Sequence, residues 1–316
     1  MKFSHVDTIF DPLQDRTVKR WILELPGAGC QWYKQTGGCT MCGFSRSTQK
    51  FTFGGRLYPH WLFMLIFHYA HWLVRKLQPE QLVIYNGGSF LCDKEIPPQT
   101  QLAIMRCARC HPTIQKVMVE TRAEFVTIEK LSLYRKALGG NKQLEIAIGL
   151  ESADDCIRND CLHKGMSKKT FEKAIALCQE FNILTFAYAF LKPEGLSEAE
   201  AMKDAVATLE YCQRVGVNEA SLSCAFVQEE TPLHHAFLAG EFQPPMLWSV
   251  IEVIQKTAGL LPVRIGSFDD DPPPIAAPKN CPLCHDRVIA AVEQYRQTHN
   301  PRVFDGLDCQ CRTNNK

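Results

Sequence analysis

Between residues 21 and 226 the chain alternates short apolar runs with longer amphipathic stretches. Six of the runs predict strands: WILEL (21–25), QLVIYN (81–86), KVMVET (116–121), LEIAIGL (144–150), ILTFAYAF (183–190) and ASLSCAF (220–226). They are β-branched or apolar on both faces, as strands buried in a parallel sheet must be. The amphipathic stretches predict helices over 58–77, 98–110, 127–138, 167–181 and 198–214. Repeated strand–helix units with right-handed crossovers predict an α/β fold, a partial (β/α)6 TIM-like barrel.

In such a barrel, chemistry collects where strands end. The first strand runs into a cysteine loop and the second into Asn86-Gly87-Gly88-Ser89. The third ends at Glu120 and Arg122, the fourth at Glu151-Ser152, and Lys192 follows the fifth. After residue 226 the repeat weakens. Gln243-Pro244-Pro245 precedes a helix, MLWSVIEVIQKTAG, and DDDPPPIAAPKN (269–280) reads as an exposed linker whose acidic start is solvated. A cysteine-bearing tail follows. The division expected is a core domain over 1–263 and a small C-terminal extension over 264–316.

Composition narrows the class. The chain has 316 residues, 46% apolar and 22% charged, which suits one large globular domain with an appendage. The most apolar run, WLFMLIFHYAHWLV (61–74), is too short to span a bilayer and carries His68 and His71, so a buried helix and no membrane role are expected. MKFSHVDTIFDPLQD lacks the apolar core of a secretory signal. Fifteen cysteines, an odd count, then point to a reducing compartment, the cytoplasm, with several thiolates committed to metal. Cys178 and Cys212, inside apolar helices, read as core residues. The formal net charge of +1, with a mild basic surplus before residue 80, excludes a general nucleic-acid-binding domain. An RNA substrate would need a local patch or a partner that grips it.

The segment GAGCQWYKQTGGCTMCGF sets Cys30, Cys39 and Cys42 in a C-x8-C-x2-C spacing. Three thiolates can hold three irons of a [4Fe–4S] cubane and leave the fourth open, whereas an electron-transfer ferredoxin normally uses four. An open iron can chelate the amino and carboxylate groups of S-adenosylmethionine (SAM). Glycines 27, 29, 37, 38 and 43 let the backbone curl around such a cluster. Zinc is the rival reading, with His60 or a distant cysteine as fourth ligand.

With GGCTMCGF, YNGGSFLCDKEIP, VMVETRAEFVT, EIAIGLESADDCIRNDCLHKG, QPPMLWSVIEV and NCPLCHDRV…DCQC, nearly the whole chain resembles the radical SAM superfamily, in its elongator-related branch. It is most similar there to the radical SAM subunits of archaeosine synthases. The resemblance implies a barrel of the radical SAM type, SAM as cofactor, and tRNA modification. The implied reaction splits a lysine C–N bond on a lysine-modified 7-deazaguanine. A tRNA-holding partner enzyme and an electron donor such as ferredoxin or flavodoxin are implied with it. By the same resemblance Met41 would lie against adenine, and Gly87, Gly88 and Ser89 would bind the SAM amino group. Glu151 and Ser152 would approach the ribose, and Glu120 and Arg122 would face SAM or substrate; as an alternative, Glu120 and Arg122 form a structural ion pair. His163-Lys164-Gly165 reads as a solvated loop or a substrate contact, the loop being preferred.

In the tail, Cys281-x2-Cys284 and Cys309-x-Cys311 form two close pairs suited to zinc or to a second cluster, with His285 as a substitute ligand. Cys107-x2-Cys110, beside His111, lacks a second pair and reads as coincidence. Two alternatives stand beside the tRNA reading: a radical SAM enzyme acting on a non-tRNA substrate, and a zinc-stabilised binding module.

Overall fold

A computed structural model describes residues 3–44, 56–269 and 273–312. Its centre is one eight-stranded sheet with strands in chain order: β1 (Ser4–Asp11), β2 (Arg16–Glu24), β3 (Gln81–Tyr85), β4 (Lys116–Thr121), β5 (Gln143–Glu151), β6 (Leu184–Leu191), β7 (Glu219–Cys224) and β8 (Val263–Ile265). From β2 onward every neighbouring pair is parallel, so the curled half-barrel expected from the repeat is present. Two strands were not anticipated. β1 pairs antiparallel with β2 at the edge, half-buried apart from exposed Thr8 and buried Asp11, and β8 is only three residues long.

The described helices are α1 (Gln31–Thr36), α2 (His60–Val74), α3 (Pro98–Cys110), α4 (Ile128–Leu138), α5 (Lys168–Glu180), α6 (Glu198–Arg214), α7 (Pro232–Leu238), α8 (Leu247–Lys256) and α9 (His285–Thr298). Their starts are written locally. Thr127, Ser167 and Ser197 each accept a backbone N–H from three residues on, and Ser197 with Glu200 completes a capping box. No helix among the described residues is long and apolar enough to cross a membrane.

Two expectations need correction. The apolar run 61–74 forms the predicted helix, but only Phe63, Phe67, Ala70 and Val74 are buried; Trp61 (65% exposed), Leu65, Tyr69 and Trp72 face outward. The run is apolar all round, and the sheet covers one side of it only. The linker 269–280 is exposed at Asp269, while Asp270 and Asp271 lie outside the described residues; farther on it is strapped to the barrel by Val227, whose N–H donates to Ala276 and whose carbonyl accepts from Ile275, both at 2.8 Å.

Alternate positions along the strands fill the barrel interior. Ile22, Val83, Met118, Ala147 and Phe186 pack together at mid-height, with Tyr85 and Tyr188 against them. Two residues earlier on their strands, Gln81, Lys116 and Glu145 form a buried polar plug around Asp11. The Lys116 ammonium lies 3.2 Å from both Asp11 and Glu145, and Gln81 donates to Asp11. Val288, Ala291, Val292 and Tyr295 of α9 join the main core, and Arg264 of β8 donates to the Phe10 carbonyl of β1 (3.1 Å), linking the two edges.

Candidate active site

The cysteine loop leaves β2 and crosses the C-terminal mouth of the barrel. It has little structure of its own: α1 spans six residues, and positive-φ glycines at 29, 37 and 38 turn the chain. Gly38 must be glycine for a second reason, since a Cβ there would sit 2.7 Å from the Tyr33 ring. Other strand ends hold the loop in place. From the β3 loop, the buried Glu95 carboxylate accepts the Gln31 N–H at 2.9 Å and also the Ser89 N–H, joining the cysteine loop to the glycine turn. A Cβ on Gly88 would collide with that carboxylate and reach the Cys30 backbone at 3.2 Å. After β5, the Cys161 carbonyl accepts from the Thr40 hydroxyl at 3.1 Å, and the Leu162 and His163 carbonyls accept from Thr40 N–H and Trp32 Nε1 at 3.2 and 2.8 Å. After β7, Gln228 accepts the Gly43 N–H at 3.0 Å, beside Cys42.

Charged groups converge beneath the loop. Glu151 ends β5 at φ +68, a left-handed conformation that a non-glycine residue adopts only where its surroundings impose it. Its carboxylate pairs with the Lys164 ammonium at 2.7 Å, both side chains buried. The pair lies over Gly149, where any Cβ would strike both groups. Burial pushes the Cys39 thiol up, while Lys164 and Arg122 pull it down and Glu151 and Cys30 push it further up, so these side chains share one locality. Burial also raises the Glu120 carboxyl, to about 7, against the pull of Tyr188 and Lys164. Tyr188 donates to Glu120 and is hydrogen-bonded to Tyr85.

The predicted residues fall as follows. Cys30, Cys39 and Cys42 lie on one loop, half-buried, held from three strand ends. Met41 packs its side chain against a second apolar cluster around Leu162, Phe190 and Val227. Gly87 turns at φ +61. Ser89 is fully buried, its hydroxyl accepting the Arg122 N–H at 3.1 Å; Ser152 is fully buried too, donating to Asp204 at 2.6 Å. Glu120 and Arg122 do not pair with each other. Arg122 binds Glu124 at 2.5 Å and the Gly165 carbonyl at 3.3 Å and lies 4.8 Å from the centre of the Trp32 ring. Lys192, at φ +74, turns away to the Leu196 carbonyl.

No protein-family model matches the chain. The archaeosine synthase subunit beta of Methanosarcina acetivorans is 30% identical over 296 residues, 90% of this chain and 80% of that protein. The chain belongs to the archaeosine synthase subunit beta family. A second member, from Thermococcus kodakarensis, is 26% identical over 91% of this chain and 88% of its own length. Among solved structures, the archaeal Elp3 of Methanocaldococcus infernus aligns at TM-score 0.56 with 20% identity, over 78% of this chain and 60% of that one. A radical SAM methyltransferase from Sphaerobacter thermophilus aligns at 0.51 with 13% identity, over 84% and 77%. These likenesses establish the radical SAM fold.

In this member of the archaeosine synthase subunit beta family, the structure also brings Lys164 to the mouth. The solvated-loop reading of His163-Lys164-Gly165 fails for Lys164, whose ammonium is buried against Glu151 while His163 and Gly165 are exposed. Glu95, Trp32 and Gln228 were also not foreseen; each acts through contacts more than 60 residues apart in sequence. By sequence Asn86 is only the first residue of the segment into which the second strand runs. It is buried, its amide O and N have no hydrogen-bond partner among the described residues, and it lies beside Gly27 of the cysteine loop. His60 is engaged with Thr100 at 2.9 Å, away from the loop. Cys107 and Cys110 gain no third ligand among the described residues. In the tail, Cys281, Cys284, Cys309 and Cys311 bring their sulfurs within 4.8 Å of one another, a group able to bind a metal, while His285 instead accepts from the Asn280 N–H.

Proposed function

We propose that this protein is a radical SAM enzyme of tRNA modification in which Cys30, Cys39 and Cys42 hold a [4Fe–4S] cluster with one open iron. The observation that carries the reading is the convergence of this three-cysteine loop with the buried Lys164–Glu151 pair at the strand ends, in a chain of this family. The residues suit the cofactors. Three thiolates on a loop pinned from several sides are the donor set a cubane needs, and a cluster with SAM on it is charged, so Lys164 and Arg122 suit its surroundings. The unpartnered Asn86 amide offers a donor and an acceptor that a polar ligand would satisfy.

Cluster and SAM together supply a 5′-deoxyadenosyl radical, a reagent that takes hydrogen from an unactivated carbon. The chain's own residues bind and orient. The Gly87–Gly88 turn would hold the SAM amino group, Met41 would lie against adenine by its backbone, and Ser152, bonded to Asp204, would fix the turn from which Glu151 would approach the ribose. Glu120, near neutrality in its pKa and bonded to Tyr188, holds a proton at the floor of the mouth. Arg122, lying over the Trp32 ring and bonded to the Gly165 carbonyl, positions the loop after β5. The substrate in this reading is a 7-deazaguanine in tRNA that carries lysine. Loss of a hydrogen atom from the lysine carbon beside nitrogen leaves a carbon radical. One electron passed from it to an oxidised ferredoxin-type carrier gives an iminium, and water then splits the C–N bond, freeing the amidine of archaeosine while the lysine remnant departs as an aldehyde. Modest overall charge fits a partner subunit that grips the tRNA.

The test is anaerobic. The reconstituted protein should bind about four irons, lose them on Cys39→Ser, and release 5′-deoxyadenosine when given SAM, reductant and lysine-modified tRNA. Turnover that ignores the tRNA would reject the substrate, and zinc at Cys30, Cys39 and Cys42 would reject the chemistry.

A further inference from the structure

We infer that Cys281, Cys284, Cys309 and Cys311 hold a single zinc ion in a closed tetrahedron, which clasps the C-terminal tail to α8. Three sulfur separations are given by the structure: 3.6 Å for Cys281–Cys284, 3.6 Å for Cys281–Cys309 and 3.5 Å for Cys284–Cys311. A tetrahedron with Zn–S bonds of about 2.3 Å has edges of about 3.8 Å. The match is close, with all four atoms within 4.8 Å of one another. A cubane asks for something different. Each of its four thiolates binds its own iron, so the sulfurs must stand around the whole cluster and lie farther apart than ligands sharing one ion. A covalent sulfur pair, bonded at about 2.05 Å, is shorter than any of these separations.

The surroundings are built for a thiolate site. Cys281 opens a tight turn in which its carbonyl accepts the Cys284 and His285 N–H groups, at 3.2 and 3.0 Å, so both sulfurs of this pair face one point. Cys284 sits at the N-terminus of α9, whose dipole favours negative charge, and is 1% exposed. The second pair is closed by the Arg312 N–H on the Cys309 carbonyl at 2.9 Å. Trp248 of α8 donates its indole N–H to Cys311 Sγ at 3.2 Å, and Arg312 lies 5.3 Å from the centre of the same indole ring. Arg287 reaches the Asp308 carbonyl between the two pairs. Four thiolates on a divalent ion are net negative, and a donated N–H with flanking arginines offsets that charge. The α8 start is itself tied to α6, through Glu198 accepting from Met246 N–H and the Ser249 hydroxyl at 2.8 and 2.6 Å. The ion therefore fastens the tail to the helical layer. With every position filled by sulfur, it leaves no site for substrate.

Metal analysis of the full-length protein decides the matter. We expect one zinc per chain, retained when Cys30, Cys39 and Cys42 are all replaced by Ser and lost in Cys309→Ser/Cys311→Ser, which keeps the iron of the wild type. Should that double variant fail to fold, zinc-edge X-ray absorption on the wild type gives the answer: four sulfurs at about 2.3 Å support the site, and nitrogen or oxygen ligands overturn it. A doubled iron content that halves in the double variant would mean a second cluster. A single iron in place of zinc, or no change of metal in the folded double variant, would equally reject the proposal.

Discussion

Replacing Glu95 with Gln keeps the side chain's shape but removes one of its two acceptor oxygens. In the native protein those oxygens take the Gln31 and Ser89 N–H groups, one from the cysteine loop and one from the glycine turn. A hydrogen bond to a charged group contributes about 1.5–3 kcal/mol, and a buried amide left without a partner costs about 1–3 kcal/mol. Gln can satisfy one N–H and must turn its own NH2 toward the other. Against this, burial raises the Glu95 carboxyl above its usual range, so the neutral amide recovers part of the desolvation cost. The net expectation is a loss of about 2 kcal/mol, and Glu95→Ala, which strands both amides, should lose about twice as much. At roughly 2 °C per kcal/mol for a chain of this size, Glu95→Gln melts roughly 4 °C lower. Because the strain falls on the turn next to Cys30, iron retained after anaerobic reconstitution and gel filtration should fall as well. A variant that melts within about 1 °C of the parent and keeps all its iron would show that Glu95 does not set the loop.

Glu120→Gln tests the buried carboxyl. Its folded pKa of about 7 exceeds the ordinary 4.5, so between those values the folded state binds the extra proton and wild-type stability falls as pH rises. The span is bounded at about 3 kcal/mol. Glu219 and Asp204, also raised by burial, keep some pH dependence in both proteins, so urea midpoints at low and high pH should diverge more in the wild type than in the variant, and parallel curves would refute the assignment. Lys116→Met strands the Asp11 and Glu145 carboxylates in the plug and should lower stability by about 3–5 kcal/mol in urea melts, with an unchanged midpoint contradicting the ion-pair geometry. Trp32→Ala removes the ring that covers Gly165 and Arg122, and 5′-deoxyadenosine formation should drop on the order of tenfold through misplacement of the loop while far-UV circular dichroism is unchanged; full activity would show the clamp to be idle.

The parallel strands were readable because burial on both faces writes itself as short runs dominated by apolar residues. β1 was not, since SHVDTIFD has neither an unbroken apolar run nor a clean alternation, and it gains its partner only when β2 folds back. The helix at 60–74 was readable as a helix but not as a surface, because a run that is apolar all round carries no mark of which side the sheet will cover. At the site, the cysteines and the glycine turn announce themselves by spacing. Lys164 does not. Its neighbours His163 and Gly165 are exposed, and only the fold of the loop against Glu151 buries its ammonium. Glu95 is hidden in the same way inside a charged Asp-Lys-Glu run whose other two members are exposed.

These unseen residues share a physical cause. The cysteine loop cannot hold itself: six helical residues are too few to be stable alone, and its positive-φ glycines add conformational entropy to the unfolded chain. Order must come from elsewhere, and it comes from Glu95 after β3, Leu162 and His163 after β5, and Gln228 after β7. The mouth is electrostatically balanced by the same means, with Glu151 neutralised by Lys164 and Glu120 by its raised pKa. A site whose acids are already compensated can accept a charged cofactor without reorganising its own side chains. The geometry of Cys30, Cys39 and Cys42 is thus a property of the whole half-barrel, and a change far along the chain, at Gln228 or Lys164, acts on the cysteines as directly as a change beside them.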